Sequence, residues 1–231
     1  MKKNILSDIE VYLLNEANRV SSEYGYEIVE KLPAANCAVY KIQKGNDFAV
    51  LKIMHSNIGN FLIDDVEYVF DVYGYFKALE IEAEIFKKLD GIEGLPRIYE
   101  SVIPSNIQRK INETGFSSKV IEAYIIREYI EGIPVGRRNI SSISHDYHIK
   151  NNPMLIVDTL KEIHHTIAGL DIIPPNIILN PNGPYLIDFV SPKTRRKLYS
   201  LPSQYEKLKQ VDLRRLYDMI DKETRLSHSL I

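Results

Sequence analysis

The apolar residues of the first half of the chain follow two different periods. Residues 26–32, 36–43 and 47–54 are rich in β-branched and aromatic side chains, and the segment 44–47, Lys-Gly-Asn-Asp, is a tight-turn signal between the last two. Such runs with a short polar turn are typical of antiparallel strands. Residues 74–89 instead repeat their apolar side chains at helical spacing. We therefore predict an antiparallel meander followed by an amphipathic helix.

The rest of the chain adds further helices and strands. A helix is predicted at the start of the chain, from a cap at Ser7 or Asp8 to about Tyr24. Strand-like runs lie at 97–103 and 119–130. Two later segments have helical patterns, namely 153–167, which opens on a proline, and about 204–220.

This order of elements predicts an α+β fold in two lobes, because strands with one long helix come first and mostly helices follow. We predict an N-terminal lobe over 1–130, built from the first helix, an antiparallel sheet and the helix 74–89. A mostly helical C-terminal lobe is predicted over 131–231. The length of 231 residues is sufficient for two small lobes.

Composition narrows the class of protein. The chain is 45% hydrophobic and 26% charged, which is typical of a globular protein, and its formal net charge of −2 gives no broad nucleic-acid footprint, so DNA is not expected as a partner. The single cysteine, Cys37, excludes an internal disulfide and fits a reducing compartment. No apolar run is long enough to span a membrane, and the N-terminus lacks a signal core. We expect a cytoplasmic protein without a membrane partner.

Two acids and one amide form the most informative motif. Asn176 lies five residues after Asp171, and Asp188 lies twelve residues after Asn176. Apolar runs at 177–179 and 185–187 hold the backbone beside these residues. One carboxylate can orient an attacking hydroxyl, while an amide oxygen and a second carboxylate are ligands that Mg²⁺ accepts beside phosphates. These are residue types that phosphoryl transfer requires.

A lysine interrupts an otherwise apolar predicted strand. Lys52 has an ordinary explanation, an edge residue that faces solvent. The alternative is a lysine that binds phosphates, which needs a carboxylate partner because an unpaired buried ammonium is costly. The helix 74–89 carries three acids, and Glu82 is preferred, because Ile85 and Phe86 follow it at three and four residues on the core-facing side. A metal role for the adjacent histidines of 164–165 is not expected, because neighbouring side chains diverge.

Taken in order, five segments of the chain resemble the motifs of protein kinases. They are the strand lysine in Val50-Leu51-Lys52, the helix acid in Glu82-Ala83-Glu84-Ile85-Phe86, the hinge in Ile126-Arg127-Glu128-Tyr129-Ile130-Glu131-Gly132, the catalytic loop from Asp171 to Asn176, and the metal-binding element Ile187-Asp188-Phe189-Val190. The resemblance covers residues 32–190. It implies a two-lobed protein kinase-like fold with a reduced C-terminal lobe.

The resemblance also implies a role for each matched residue. Lys52 would contact the phosphates of ATP and pair with Glu82. Asp171 would be a catalytic residue that orients the acceptor hydroxyl. Asn176 and Asp188 would bind Mg²⁺.

Further cofactor contacts follow from the same resemblance. Ala34 and Ala35 would take the place of the phosphate-binding loop, and backbone groups of Glu128 and Ile130 would meet the adenine edge. Asp212 resembles the helix acid that braces the catalytic loop, although an acid near a helix N-terminus, favoured by the dipole, explains it equally well.

The short C-terminal part is similar to that of compact atypical kinases. About 40 residues follow Val190. The RIO-type kinases and the small kinase of the KEOPS tRNA-modification complex have this compact form. The resemblance implies a serine/threonine kinase with a protein substrate, a possible ATPase-like activity, and association with RNA or ribonucleoprotein.

Two features depart from the kinase pattern. The segment 32–40 has no glycine, although glycine lets backbone N–H groups approach phosphates. Ile173 replaces a lysine of serine/threonine kinases. Separately, the basic run 193–197 is either a solvated loop or a docking patch for an acidic peptide or RNA. A pseudokinase scaffold therefore stays open, as does a small-molecule phosphotransferase of the aminoglycoside or choline type, which Phe189 after Asp188 argues against.

Overall fold

The computed structural model describes seven stretches of the chain. They are residues 2–34, 37–55, 66–103, 122–135, 154–190, 195–196 and 201–220.

A five-stranded antiparallel sheet forms the centre of the first half of the chain. Its strands lie in the order β1-β2-β3-β5-β4. Their bounds are β1 Glu27–Leu32, β2 Ala38–Lys44, β3 Asp47–His55, β4 Ile98–Val102 and β5 Glu122–Glu128. Lys44 pairs with Asp47, and Gly45 has a φ of +62°, so a two-residue turn joins β2 to β3 as the sequence predicts. The predicted meander is confirmed.

Helix α1, Lys2–Glu23, covers one face of this sheet. It begins before the predicted cap at Ser7 or Asp8, because residues 2–6 contain no glycine or proline to stop the helix. Alternate strand residues face α1, because successive side chains of a strand point to opposite faces of the sheet. The core on this side consists of Leu13, Ala17, Val20, Ala38, Tyr40, Ile42, Ala49, Leu51, Ile53, Tyr124 and Ile126.

Helix α2, Val66–Lys88, begins eight residues earlier than the predicted start at residue 74. Gly74 lies inside this helix, where a glycine costs about 1 kcal/mol relative to alanine but does not break the backbone hydrogen bonds. Apolar residues of α2 pack against the sheet residues that α1 does not contact. This second core consists of Met54, Phe76, Leu79, Ala83, Ala123 and Ile125.

The chain divides into two compact units. The first unit comprises Met1–Ala83 and Ile98–Tyr129, and the second unit comprises Glu84–Arg97 and Ile130–Ile231. Residues 84–97 thus belong to the second unit, whereas the sequence-based division assigned everything up to 130 to the N-terminal lobe. The division into domains at 130 stays a prediction.

The second unit contains two helices and five short strands among the residues described. The helices are α3 Met154–Ile163 and α4 Pro202–Ile220. The strands are β6 Ile133–Pro134, β7 Ile167–Ala168, β8 Ile177–Asn180, β9 Gly183–Leu186 and β10 Arg195–Arg196. They form a three-stranded sheet in the order β6-β8-β9 and a two-stranded pair of β7 with β10.

Helix α3 ends at Ile163, four residues before the predicted end at 167. The N–H of His165 donates to the carbonyl of Glu162, and that of Thr166 donates to Ile163, so the last turn tightens to three-residue spacing. Gly169 follows with a φ of +75°. These features turn the chain out of the helix and into β7.

Glycine at position 132 is required by a close backbone approach. A Cβ atom there would lie 2.3 Å from the carbonyl oxygen of Leu179. Only glycine therefore lets the segment before β6 pack against β8.

The core of the second unit combines α3 with residues of the loop strands. Ile156, Val157, Leu160 and Ile163 are buried on α3. The rings of Phe86 and Phe189 meet edge to face with their centroids 5.4 Å apart. The side chain that follows Asp188 is thereby fixed in the core.

The α+β class is confirmed by a five-stranded antiparallel sheet and four helices in the described part of the chain. Within those same residues, no helix combines the length and the apolar character that crossing a bilayer requires.

Candidate active site

Lys52 lies in the middle of the first unit's sheet. Its strand, β3, is flanked on both sides, since Lys52 pairs with Val39 of β2 and with Ile125 of β5. The residue is only 7% exposed. The interpretation of Lys52 as a solvent-facing edge residue is therefore wrong.

The buried ammonium of Lys52 is paired with the acid that the sequence predicts. Its Nζ atom lies 2.6 Å from Oε2 of Glu82, on helix α2, and Glu82 is 1% exposed. Removing two charges from water costs several kcal/mol for each ion, and replacing such a pair with apolar residues is often neutral or stabilising. A buried pair is thus weak evidence for a stabilising role.

Asp171 and Asp188 lie on neighbouring segments of the second unit. The N–H of Asp171 donates to the carbonyl of Phe189 at 3.0 Å, which brings the segment that begins at Asp171 next to the residue after Asp188. The N–H of Ile187 donates to the carbonyl of Asn176 at 2.8 Å. Two backbone hydrogen bonds therefore tie the acid–amide segment to the second acid.

Asn176 is held by its own side chain. It ends a short 3₁₀ turn, Pro174–Asn176, and its Nδ2 atom donates to the backbone carbonyl of Asp171 at 2.9 Å. The two prolines in this turn fix φ and stiffen the loop. Because the amide nitrogen is used as a donor, the Oδ1 atom is the part of the group that can serve as a metal ligand.

The donor set fits a magnesium ion that also binds phosphates. Among the residues that the structure describes, no group of three or more His, Cys, Asp or Glu side chains could hold a metal by itself. Mg²⁺ usually takes one or two carboxylates and completes its shell with phosphate oxygens and water. Asp188 and the Oδ1 atom of Asn176 are hard oxygen donors of this kind.

Asp212 fixes the backbone just before Asp171. It lies within α4 and is buried, so the explanation as an acid at a helix N-terminus is wrong. Its Oδ2 atom accepts from the N–H of Gly169 at 2.9 Å, and its Oδ1 atom accepts from the N–H of Leu170 at 3.1 Å. The predicted brace is present: one carboxylate holds two successive amides.

Sequence reasoning missed the histidine that joins this brace. Nε2 of His164 lies 3.1 Å from Oδ2 of Asp212, and both side chains are buried. The carbonyl of His164 also accepts from the hydroxyl of Tyr205 at 2.9 Å. No local pattern signals these contacts, because their partners are 48 and 41 residues away in the sequence.

The Tyr205 hydroxyl acts as a permanent donor in this network. Burial, and to a smaller extent the charges of Glu206 and Asp212, raise the pKa of Tyr205 to about 12. The phenol therefore keeps its proton at neutral pH and donates to His164.

The remaining predicted cofactor residues are Ala34, Ala35, Glu128 and Ile130. Ala34 is exposed two residues after β1, and Ala35 lies outside the described residues. Glu128 is the last residue of β5 and is half-buried, whereas Ile130 is buried in the second unit. None of these placements tests a nucleotide contact.

The basic run 193–197 is only partly described. Residues 195–196 form strand β10, which pairs with β7, and residues 193, 194 and 197 lie outside the described residues. The choice between a solvated loop and a docking patch stays open.

Many solved structures resemble the chain, and a kinase domain is one of them. No family model matches the chain, and no curated protein matches it. A kinase domain of PknI from Mycobacterium tuberculosis, solved as a single-residue variant, aligns with a TM-score of 0.44 and 16% identity, over 82% of this chain and 70% of that one. At this level of similarity, the likeness adds nothing to the geometry above.

We predict that Glu82→Ala destabilises the protein by about 3–5 kcal/mol, because it leaves the Lys52 ammonium buried without its carboxylate. The double variant Lys52→Met/Glu82→Leu should recover most of this loss, since it removes both charges. Urea unfolding measures the differences. Asp158→Ala is the matched control, since it removes an exposed ion pair with Lys161 and should change the free energy of unfolding by less than about 0.5 kcal/mol. Equal changes in the free energy of unfolding for Glu82→Ala and Asp158→Ala would contradict the prediction.

We predict that Asp212→Ala loosens the segment before Asp171 and destabilises the protein by about 2–4 kcal/mol, because two amides lose their acceptor. Amide hydrogen exchange at Gly169 and Leu170 should become at least about tenfold faster. Gln210→Ala, at an exposed position of the same helix, is the control and should leave both exchange rates unchanged. Unaltered exchange at both amides in Asp212→Ala would show that the carboxylate does not hold this segment.

Proposed function

We propose that this chain is a Mg·ATP-dependent phosphotransferase of the protein kinase-like type, which transfers the γ-phosphate to a hydroxyl group. The observation that carries the proposal is the arrangement of Asp171, Asn176 and the segment containing Asp188. Their backbones are tied by direct hydrogen bonds, and the buried carboxylate of Asp212 anchors the loop. Phosphoryl transfer depends mainly on positioning and electrostatic stabilisation, which such a fixed loop can provide.

Asp171 has the role of orienting the acceptor hydroxyl. Its backbone groups are used within the loop, while its half-buried carboxylate has no hydrogen bond or ion pair with the residues that the structure describes. The carboxylate is therefore able to accept a hydrogen bond from a substrate hydroxyl. A carboxylate within hydrogen-bond reach of the acceptor is the usual requirement for this step.

Asn176 and Asp188 have the role of holding Mg²⁺ against the phosphates. The ion would supply charge that neutralises the phosphate oxygens during transfer. The chain's contribution is to present the Asn176 Oδ1 atom and the Asp188 carboxylate on a stiff loop, which reduces the reorganisation that binding requires.

Lys52 is assigned to the phosphates of the nucleotide. The buried pair with Glu82 holds the ammonium in one position on a central strand. An ammonium that is already positioned loses less side-chain entropy when it binds a phosphate. This explains why the chain maintains a costly buried pair at this point.

The proposal also names the acceptor group and the class of kinase. We assign a serine or threonine hydroxyl of a protein as acceptor and place the chain with the atypical kinases, with RNA or ribonucleoprotein as an associated partner. The order of the kinase-like motifs supports this assignment. An ATPase-like activity, with water as the acceptor, would use the same residues.

A scaffold function is the second candidate, and Ile173 favours it. This residue stands where serine/threonine kinases carry a lysine, it is 39% exposed, and it has an extended backbone. An apolar side chain cannot stabilise developing phosphate charge, and removing one such electrostatic contact costs a factor of about 10²–10³ in rate. A pseudokinase scaffold would keep the fold and lack turnover.

Transfer of labelled γ-phosphate from Mg·ATP distinguishes these functions. We expect label in the chain itself or in added proteins, or released phosphate, and a decrease of at least about 100-fold in Asp171→Ala and Asp188→Ala. An aminoglycoside and choline are included as acceptors, to detect a small-molecule phosphotransferase.

Asp158→Ala, at an exposed site on α3, is the control and should retain full activity. Equal signals in the wild type and in both loop variants would remove the enzyme function, and so would the absence of any transfer or phosphate release. The scaffold would then be the remaining function.

A further inference from the structure

Helix α4 carries three cations on the side that faces solvent. Lys207, Arg214 and Arg215 are exposed. Lys207 and Arg214 are seven residues apart, which is close to two turns of the helix, so their side chains project from the same side of it. Arg215 lies at the border of this side. The buried side of α4 consists of Tyr205, Asp212, Leu216 and Ile220.

An exposed apolar side chain lies among these cations. Val211 is 42% exposed, and it follows Lys207 by four residues and precedes Arg214 by three, which are the spacings of neighbours on a helix surface. We call Lys207, Val211, Arg214 and Arg215 the basic face of α4. Asp218, four residues after Arg214, is an acid at its C-terminal end. The face thus combines a short row of positive charges with one apolar contact point.

The cations of the basic face have hydrogen-bond donors available for a ligand. Lys207 and Arg214 form no hydrogen bond or ion pair with the residues that the structure describes. Arg215 uses its Nη1 atom to donate to the backbone carbonyl of Leu170 at 3.3 Å. A carbonyl oxygen does not neutralise a guanidinium group, which also has further N–H groups. The positive charge of this face is therefore not neutralised by carboxylates of the described residues.

The basic face lies beside the loop of the candidate active site. Arg215 contacts Leu170, the residue directly before Asp171, in the same compact unit. The backbone of strand β10, Arg195–Arg196, pairs with residues 167–168, which lead into that loop. A ligand bound along the basic face would thus lie close to the segment whose carboxylate we assign to the acceptor hydroxyl.

We infer that the basic face of α4 binds an acidic peptide segment of the protein substrate, because opposite charges on two surfaces select and orient partners. This inference rests on the proposed function, since the role of Asp171 identifies the partner as the protein that is phosphorylated. Lys207 and Arg215 are eight residues apart, which is about 12 Å along the helix axis. An extended peptide covers this distance in about four residues. The substrate should therefore carry acids over about four residues near its acceptor serine or threonine.

A peptide fits this face better than a strand of RNA. Proteins that bind single-stranded nucleic acids combine cations with aromatic side chains on which the bases stack. Within Pro202–Ile220, none of the exposed residues is aromatic. Val211 instead offers contact to an apolar side chain of a peptide, and the Asp218 carboxylate would repel a phosphate backbone that continued along the helix.

Fluorescence anisotropy with labelled ligands and the full chain, in the absence of nucleotide, tests the inference. The acidic peptide carries glutamates on both sides of a serine, and the neutral peptide has glutamine in place of each glutamate. We expect the acidic peptide to bind about tenfold more tightly, which is the effect of a few exposed charge pairs. Raising the ionic strength from about 0.02 M to about 0.3 M should remove most of this difference. A single-stranded RNA of mixed sequence is the third ligand.

Charge reversal identifies the residues that bind the peptide. Lys207→Glu/Arg214→Glu should weaken binding of the acidic peptide by at least about tenfold and should allow a matching lysine peptide to bind. The control Lys87→Glu/Lys161→Glu reverses two exposed lysines elsewhere in the second unit and changes the net charge equally. It should keep the wild-type ratio of acidic to neutral affinity. If the reversed variant fails to fold, Lys207→Gln/Arg214→Gln replaces it.

The outcomes separate this inference from the proposed function. Equal binding of the acidic and neutral peptides, or binding of the acidic peptide that survives charge reversal, overturns the inference and leaves the phosphotransferase in place. RNA that binds more tightly than the acidic peptide and is lost on charge reversal assigns the face to nucleic acid and also overturns it. Peptide binding as predicted, without phosphoryl transfer to any acceptor, supports the docking face and contradicts the proposed function.

Discussion

The burial of the Lys52 ammonium is the constraint on which the architecture of the first unit depends. An unpaired ammonium in the middle of a sheet would be too costly, so a carboxylate must reach it from the element that covers that face. Helix α2 meets this requirement by placing Glu82 2.6 Å away. The internal position of β3 and the register of α2 over the sheet are both needed for this one contact.

The second unit also contains a buried charged group, the carboxylate of Asp212. Asp212 is fully enclosed, and its two oxygens satisfy the amides of Gly169 and Leu170 as well as the ring of His164. Each of these polar groups would be costly to bury alone. Together they fix the start of a loop whose first acid, Asp171, has a carboxylate that is not used by the described residues. A rigid support and an available functional group thus lie next to each other.

Local pattern was sufficient for much of this structure. The alternation of apolar residues predicted β1 to β3, and the Lys44–Asp47 turn fixed their order and pairing. The choice of Glu82 followed from the position of apolar residues three and four places later on a helix, which is a purely local argument. The spacing of Asp171, Asn176 and Asp188 likewise needed no knowledge of distant contacts.

Features that depend on distant partners were not predictable in this way. The end of α3 is set by three-residue turns and by Gly169, and the helical pattern of its apolar residues continues past that point. The link of His164 to Asp212 and Tyr205 joins residues more than 40 positions apart. The early start of α2 shows that a single glycine inside a helix is a weak stop signal.

Ligand-linked thermal stability tests the proposed Mg·ATP-dependent function most directly, because Lys52 and Asp188 are each assigned to the bound nucleotide. At a Mg·ATP concentration about ten times the dissociation constant, the wild type should melt about 4 °C higher than without ligand. Lys52→Met and Asp188→Asn should each abolish this shift, while Asp158→Asn should retain it. A wild type without a shift at millimolar Mg·ATP, or a full shift in either variant, would contradict the account.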